Sequence, residues 1–187
     1  MINDVEHIVA ACQRREPSAQ RRLYDEYGPM MLGVCMRYTR SRDEAQDLLH
    51  DGFIKVFENI GRLRTPQALE DWIYNIMVNE SINYVKRRSK LTYCDVWEMA
   101  QQDELESQTE ASPLDTDNYD TRWIVTLLQQ LPEKYRLAFN MHEVDGLSYP
   151  EMALKLDQPE TTVRSTYSRA RQLLLNKIKK HAKNIAL

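Results

Sequence analysis

The stretch that decides the fold is SYPEMALKLDQPETTVRSTYSRARQLLL, residues 148–175. It opens with a capping-box pattern, in which Ser148 and Glu151 satisfy each other's free backbone N–H groups at a helix start. The proline at position 150 suits the first turn of that helix, where its missing N–H has no partner. Asp157-Gln158-Pro159-Glu160 breaks the pattern, and Thr161-Thr162 starts a longer helix. The stretch therefore predicts a short helix, a tight turn and a long helix.

This order is typical of a helix-turn-helix, which places the start of its second helix in the major groove of DNA. After Glu160 the chain has seven Lys and Arg residues and no acid, a pattern that favours phosphate contact. A helical hairpin with a solvated basic face has the same geometry, so geometry alone leaves both interpretations open. The side chains predicted to face bases are Thr161, Thr162, Arg164, Ser165 and Ser168, those predicted to meet phosphates include Arg169 and Arg171, and those predicted to face the core are Val163, Tyr167, Ala170 and Leu174.

The rest of the chain also has the apolar spacing of helices, which start near positions 3, 18, 41, 65, 119 and 132. The hairpin dipeptide Asn-Gly is absent. Ser41 and Glu44 form a further capping-box pattern, and Gly61 fits a helix C-cap. Gly28-Pro29 predicts a kink or an interruption in the second helix. The sequence therefore predicts an all-α fold.

Charge divides the chain into three parts. Residues 1–90 carry a net charge of +1, residues 91–121 carry nine acids and no Lys or Arg, and residues 122–187 carry a net charge of +5. An acidic, self-repelling segment without helical spacing predicts a flexible linker. The predicted organisation is two small helical domains, 1–90 and 122–187, joined by the acidic linker 91–121.

Several classes of protein are disfavoured. Cys12, Cys35 and Cys94 lie far apart, which argues against a disulfide framework and fits a reducing compartment. No apolar run approaches the ~20 residues of a membrane span, and the polar start does not resemble a signal peptide. We therefore expect a cytoplasmic protein. No Gly-rich phosphate loop, Ser-His-Asp set or metal-ligand spacing is present, so we expect no enzyme, cofactor, metal or small-molecule substrate.

The amino-acid identities in the last domain are more specific than its geometry. Ala153-Leu154-Lys155-Leu156, Pro159, Thr162-Val163-Arg164-Ser165 and Ser168-Arg169-Ala170-Arg171 resemble region 4 of bacterial RNA polymerase sigma factors, especially the extracytoplasmic-function group. The segment 131–136 is similar to the start of the preceding helix in that family. The resemblance implies that the −35 promoter element is bound as duplex DNA by the predicted exposed residues of the long helix, namely Thr161, Thr162, Arg164, Ser165, Ser168, Arg169 and Arg171.

The first domain resembles region 2 of the same family. AQDLLHDGF, residues 45–53, is similar to the helix that binds the polymerase clamp, and Trp72-Ile73, Asn79 and Asn83-Tyr84 resemble the helix that opens the promoter. The resemblance implies polymerase contact through Asp47, Leu48, Asp51, Phe53 and Ile54. It implies −10 DNA contact through Arg62 and Arg64 of a loop that captures an unstacked base, and through Asn79, Asn83, Lys86, Arg87 and Arg88.

The spacing of Asp47 and Asp51 is independent of the resemblance. Residues four apart share a helix face, so both carboxylates are available to basic groups on a partner, although a solvated acidic face has the same spacing. Trp72 is predicted to be a core residue rather than a DNA-stacking one.

The family implies a dissociable subunit of core RNA polymerase that binds promoter DNA, with an anti-sigma factor as a further partner. The acidic linker would then run through a basic channel of the polymerase, which is a hypothesis from its charge. The chain departs from the family pattern at Asp157 and Thr161, where glycine is frequent, at Thr166, where arginine is frequent, and at His50, where glutamine is frequent. We therefore expect a differently shaped turn and an altered promoter preference.

One alternative stays open. A two-domain helix-turn-helix regulator would bind a palindromic operator as a dimer, without core polymerase. Run-off transcription with purified core enzyme distinguishes the two, because only a sigma factor confers initiation.

Overall fold

The computed structural model describes residues 4–93 and 125–185, with side chains described for 4–88 and 125–179. Within these ranges all regular structure is helical and no strand is present, which confirms the predicted all-α fold. The helices are α1 (Val5–Gln13), α2 (Pro17–Tyr38), α3 (Arg42–Asn59), α4 (Leu69–Tyr93), α5 (Glu133–Phe139), α6 (Tyr149–Leu156) and α7 (Glu160–Ile185). Two 3-10 turns, Ile60–Arg62 and Pro66–Ala68, and a π-helical turn, Asn140–Val144, complete the set, together with helical residues 125–129.

Contacts group the chain into two units, Met1–Tyr84 and Val85–Leu187, each of which is described by itself below. Apart from the end of α4, the predicted linker lies outside the described residues. The division into 1–90, 91–121 and 122–187 therefore stays a prediction.

The start of α3 is capped by two side-chain hydrogen bonds, as its capping-box sequence predicts in part. Ser41 Oγ accepts a hydrogen bond from the Glu44 backbone N–H at 3.2 Å. The Glu44 carboxylate accepts from the Arg40 backbone N–H at 2.8 Å. The reciprocal arm of the capping box is thus displaced by one residue toward the N-terminus, and both bonds still satisfy N–H groups at the helix start.

The predicted interruption of α2 is wrong, and the cap after α3 has a different form from the predicted one. α2 continues through Gly28-Pro29, because a proline removes only its own N–H bond and buried neighbours such as Met31 hold the helix on the core. Gly61 is not a left-handed C-cap. It lies inside the 3-10 turn that follows α3, where the Leu63 N–H bonds the Ile60 carbonyl at 3.1 Å. α4 continues past the basic cluster at 86–88 to Tyr93.

The first unit has its core where α2, α3 and α4 meet. Leu23, Val56 and Met77 are fully buried, and the Tyr24 ring lies 4.7 Å from the Phe53 ring. Gly52 fits this packing, since a Cβ there would lie 2.3 Å from Met77 Sδ and the Met77 side chain would have to shift. The absence of a side chain at residue 52 thus allows α3 and α4 to approach closely here.

Cys12 and Cys35 are free thiols buried in this core. Burial raises the pKa of the Cys12 thiol to about 11 and that of the Cys35 thiol to about 12. Both stay protonated near neutral pH and act as small apolar side chains. Cys94 lies outside the described residues.

The core of the second unit joins the helix at 125–129 to α7. Its apolar cluster consists of Leu127, Leu128, Leu131 and Leu174, with Phe139 and Ile178 packed against it. Arg136 is buried beside this cluster, and its Nη1 donates to the Gln129 carbonyl at 3.2 Å. The guanidinium thereby donates to a carbonyl at the end of a helix, where backbone acceptors need partners from outside the helix.

Candidate nucleic-acid interface

The helix-turn-helix begins with a complete capping box. The Glu151 carboxylate accepts hydrogen bonds from the Ser148 N–H at 2.8 Å and from Ser148 Oγ at 2.6 Å, and Ser148 Oγ accepts from the Glu151 N–H. These bonds from Ser148 hold the pKa of Glu151 below its ordinary value. The start of α6 is therefore fixed as predicted from the sequence.

The turn between α6 and α7 depends on Asp157. Its φ of 54° and ψ of 47° are left-handed, the conformation that favours glycine. Aspartate tolerates this region better than most residues. Asp157 thus lies in the backbone region that favours the glycine frequent in the family at this position, and the expected difference in turn shape stays a prediction. Gln158 N–H then bonds the Ala153 carbonyl at 3.1 Å, and α7 begins at Glu160.

α7 separates its two predicted faces. Val163, Ala170 and Leu174 are buried and Tyr167 is half-buried. The seven residues predicted to contact DNA are all exposed: Thr161, Thr162, Arg164, Ser165, Ser168, Arg169 and Arg171. Thr166, which stands where the family often has arginine, is half-buried between the two faces. The start of α7 thus presents a polar and basic surface free of acids after Glu160.

Arg164 is the most constrained side chain of that surface. Its Nε and Nη2 both donate to Glu160 Oε1, at 2.8 and 2.6 Å. Its Cζ lies 4.3 Å from the centre of the Tyr149 ring. Sequence reasoning missed both contacts. The spacing of Glu160 and Arg164, four residues apart, is a signal that identifies the first. Nothing in the sequence pairs Tyr149 with a residue fifteen positions later.

Ser165 is restricted in a different way. Its hydroxyl donates to the Thr162 carbonyl at 2.9 Å, within the same helix turn. With its proton committed to the backbone, the hydroxyl keeps only its lone pairs for a ligand. In this conformation the Ser165 hydroxyl can accept a hydrogen bond from a ligand but has no proton left to donate.

The predicted −10 residues of α4 form a stripe. Asn79 and Asn83 are exposed, and so is Asn75 before them, at steps of four residues. Such residues lie along one helix face. Asn75 was missed from the sequence, although its spacing marks it as a member. Amide side chains both donate and accept, so this stripe can bond base edges and phosphates.

The basic end of α4 belongs to the second unit. Arg87 is exposed, whereas Lys86 and Arg88 are half-buried. Lys86 Nζ donates to the Lys155 carbonyl at 2.7 Å, and Arg88 Nε lies 3.9 Å from Glu133 Oε2. Of these three predicted contacts, only Arg87 presents its side chain fully to solvent.

The loop between α3 and α4 holds two predicted DNA contacts on a fixed support. Arg62 and Arg64 are exposed on either side of Leu63, which is buried. The Ile60 carbonyl accepts from Gln13 Nε2 and from the Leu63 N–H, both at 3.1 Å. The loop is thus tied to α1 and the core while both guanidinium groups face solvent.

The predicted polymerase surface on α3 needs a correction. Asp47 and Asp51 are exposed, and Ile54 is 53 % exposed. Leu48 and Phe53 are each only 2 % exposed and pack inside the first unit. As direct polymerase contacts these two assignments are wrong for this structure, because the helix period that exposes Asp47 and Asp51 turns Leu48 and Phe53 inward.

Neither a metal-binding cluster nor a membrane-spanning helix is found in the described part of the chain. No group of three metal-ligating side chains is found among the described residues. In the same part of the chain, no helix is long and apolar enough to cross a membrane.

Comparison with known proteins agrees with this geometry. The family model described as sigma-70 region 2 matches residues 23–91, and the one described as sigma-70 region 4 matches residues 121–174. The chain is 31% identical to the RNA polymerase sigma-H factor of Pseudomonas aeruginosa over 179 residues, which cover 90% of this chain and 91% of that protein. It is 28% identical to the ECF RNA polymerase sigma-E factor of Haemophilus influenzae, over 91% of this chain and 93% of that one.

A solved structure, that of the sigma factor RpoE in complex with the anti-sigma factor NepR from Bartonella quintana, has the same fold, with a TM-score of 0.52. Its sequence identity is 19%, and the match covers 85% of this chain and 96% of that one. Both predicted regions are thus found in the predicted order, and the relatives match along nearly their whole length. The chain belongs to the extracytoplasmic-function group of the sigma-70 family, and it is a sigma factor, which binds core RNA polymerase and directs it to specific promoters.

Proposed function

We propose a division of promoter recognition between the two units. The exposed face of α7 reads the −35 element as duplex. The loop carrying Arg62 and Arg64 and the stripe Asn75-Asn79-Asn83 on α4, all in the first unit, bind and open the −10 element. The observation that carries this proposal is the separation of faces on α7, where every residue assigned to DNA is exposed.

The two surfaces suit different forms of DNA. An α-helix fits the major groove, where arginine and small hydroxyl side chains distinguish base pairs. The Asn79–Asn83 stripe has amide groups that can bond bases after they leave the duplex. Extruding a base costs a few kcal/mol, and the supported loop after α3 is a surface that can offset this cost.

We also propose that Asp47, Asp51 and Ile54 contact the polymerase clamp. Their side chains combine two carboxylates and an exposed apolar group on one surface of α3. Carboxylates steer and orient basic partners, and the apolar side chain adds buried area on binding. Leu48 and Phe53 support this surface from the core.

Two further proposals rest on the family. An anti-sigma factor is expected as a partner, since the solved structure with the same fold is a complex with one. The chain is expected to act in the cytoplasm, to catalyse no reaction and to depend on the polymerase for chemistry. Affinity purification of the tagged chain from its own cells tests the partner, which should appear alongside core subunits.

The test of the division is a thermodynamic cycle between protein and promoter. Holoenzyme is reconstituted with wild-type chain, with Arg164→Ala or with Asn79→Ala/Asn83→Ala, and its affinity is measured for promoters altered in either element. Arg164→Ala should abolish the effect of at least one −35 change and leave all −10 effects intact. Asn79→Ala/Asn83→Ala should do the reverse.

Lys134→Ala is the matched control, because it removes one exposed positive charge from α5 of the same unit. It should lower affinity no more than slightly and leave both elements' effects unchanged. If the effects of Arg164→Ala and of every −35 change simply add, α7 does not read that element through Arg164.

A further inference from the structure

Arg164 is held by two residues that come from different parts of the helix-turn-helix. Glu160, one turn earlier on α7, accepts two hydrogen bonds from its guanidinium through the single oxygen Oε1. Tyr149, the first residue of α6, has its ring 4.3 Å below the guanidinium carbon. Since Nε and Nη2 make the bonds to Glu160, the edge that carries Nη1 is not engaged by this carboxylate. A guanidinium held in this way still presents donors for bidentate recognition of a base.

Tyr149 is in turn fixed by its surroundings. The His142 ring stacks on it at 4.5 Å, and the Tyr167 ring meets it edge-on at 5.8 Å. His142 Nδ1 lies 2.8 Å from the Leu147 carbonyl, which can only accept, so this nitrogen carries the proton. The Tyr167 hydroxyl donates to the Glu143 carboxylate. We call His142, Tyr149 and Tyr167 the aromatic support.

The Tyr167 hydroxyl can donate its hydrogen bond to Glu143 at all physiological pH values. Burial, followed by the hydrogen bond to Glu143 and its negative charge, raises the pKa of Tyr167 to about 12. The hydroxyl therefore keeps the proton that it donates. Because Tyr167 also meets the His142 ring edge-on at 4.6 Å, this bond helps to hold the whole aromatic support.

We propose that Tyr149 and Glu160 are positioning residues that set base preference at the −35 element by ordering the Arg164 guanidinium before DNA binds. This inference rests on the proposed role of α7. A free arginine side chain samples many rotamers, and ordering it on DNA costs conformational entropy. A guanidinium that is already stacked and bonded avoids much of that cost, and it reaches bases from one direction.

The charge of Glu160 supports the same interpretation. An acid at the DNA-facing end of a helix repels phosphates, and an exposed ion pair adds little to stability. The negative charge of Glu160 also stabilises α7, because it lies at the helix N-terminus, which carries a partial positive charge. That role is purely structural. The two roles differ in their consequences, since only positioning changes the preference for one base over another.

The experiment measures the affinity of reconstituted holoenzyme for a promoter and for single base-pair changes across its −35 element. Arg164→Ala should reduce the preference at one base pair by about 5-fold or more. Tyr149→Leu should reduce the preference at that same base pair by about 2- to 5-fold, since it removes the stacked ring and keeps an apolar side chain. Tyr149→Phe retains a ring and should keep most of the preference.

Glu160→Gln should reduce the same preference and also raise affinity for unrelated duplex, because a negative charge near the phosphates is gone. The matched control is Tyr135→Leu, which removes another ring under a cation, that of Lys134 at 4.8 Å, in α5 of the same unit. It should leave the −35 preference at the wild-type value. Circular dichroism checks that each variant is folded, and Glu160→Gln carries the test if Tyr149→Leu is not.

The outcomes distinguish two proposals: that Arg164 reads a base of the −35 element, and that Tyr149 and Glu160 position Arg164. If Arg164→Ala leaves the base preference unchanged, the proposed reading of the −35 element by this residue fails, and the positioning role fails with it. If Arg164→Ala changes the preference while folded Tyr149→Leu and Glu160→Gln do not, only the positioning role is overturned. A uniform loss of affinity for every sequence in Tyr149→Leu would likewise show a structural role alone.

Discussion

α3 and α7 are both interface helices in the predicted function, yet the structure treats their predicted contacts differently. On α7 all seven residues assigned to DNA are exposed. On α3 three of the five assigned to polymerase are exposed, and Leu48 and Phe53 are buried. Helical spacing separated the α7 residues into two faces, whereas on α3 it supported only Asp47 and Asp51, and Leu48, Phe53 and Ile54 were assigned from a family motif. A motif records which residues matter together, and only the helix period says which of them can touch a partner.

The largest expected effect tests the buried side of α3. Leu48→Ala should lower the free energy of unfolding by about 2–5 kcal/mol, because it leaves a cavity in the core of the first unit. Its affinity for core polymerase, measured on the folded fraction at low temperature, should stay near the wild-type value. Denaturant unfolding and a binding titration check the two parts. A folded Leu48→Ala protein with weak polymerase binding and unchanged stability would make Leu48 a direct contact.

The next effect tests the exposed side of the same helix. Asp51→Lys should weaken core polymerase binding at least about 10-fold, because it sets a positive charge against a basic partner surface. Its stability should change little. Asp25→Lys is the control, since it makes the same charge change at an exposed site on α2 whose ion pair with Arg21 lies on the surface. Equal losses in both variants would indicate a general charge effect rather than a contact.

A smaller effect compares the two capping boxes. Ser41→Ala and Ser148→Ala should each lower the free energy of unfolding by about 1 kcal/mol, because each removes an N-cap acceptor. They should differ in acid, where thermal unfolding is followed from pH 6 to pH 3. The pKa of Glu151 is held below its ordinary value of 4.5 by bonds from Ser148, so this stabilisation is present above pH 4.5 and is lost as the pH falls through the lowered pKa.

Ser148→Ala should therefore lose less stability on acidification than the wild type does, whereas Ser41→Ala should follow the wild-type profile. Parallel profiles for all three proteins would show that the Ser148–Glu151 bonds do not contribute to acid sensitivity.

The smallest effect compares two left-handed residues, Arg15 after α1 and Asp157 after α6, with φ angles of 62° and 54°. Arg15→Gly should raise the free energy of unfolding by about 0.5–1 kcal/mol, because glycine has no Cβ to strain this conformation. Asp157→Gly should gain less, since aspartate already tolerates it. Thermal unfolding of both variants measures the difference. A larger gain at Asp157 would show that this turn is strained by more than its backbone angle.

Local signals predicted most of the fold. Capping patterns, proline in first turns and apolar spacing identified the helix starts, since each depends on residues within one or two turns. Where prediction was wrong, distant contacts were responsible. α2 continues across Pro29 because the residues on both sides of it pack on the core. Gly61 lies in a 3-10 turn that leads from the end of α3 to the buried Leu63.

The candidate site was also predictable in part from the sequence. Helical spacing identified the exposed face of α7, and the family motif identified the two regions. The Tyr149–Arg164 stack and the support from His142 were not predictable, because they join residues that meet only after α6 and α7 have packed. If Arg164 reads bases as proposed, its preference depends on these tertiary contacts, and the preferred promoter sequence is then the least predictable part of the function.

The most direct test of the central claim is run-off transcription with purified core polymerase, free of other sigma factors, on a template carrying a promoter selected by the holoenzyme. We predict one transcript with a defined start that appears only when the chain is added. Alteration of either the −35 or the −10 element should reduce it strongly. No transcript, together with equally tight promoter binding by the chain without core enzyme, would contradict the account and favour an operator-binding regulator.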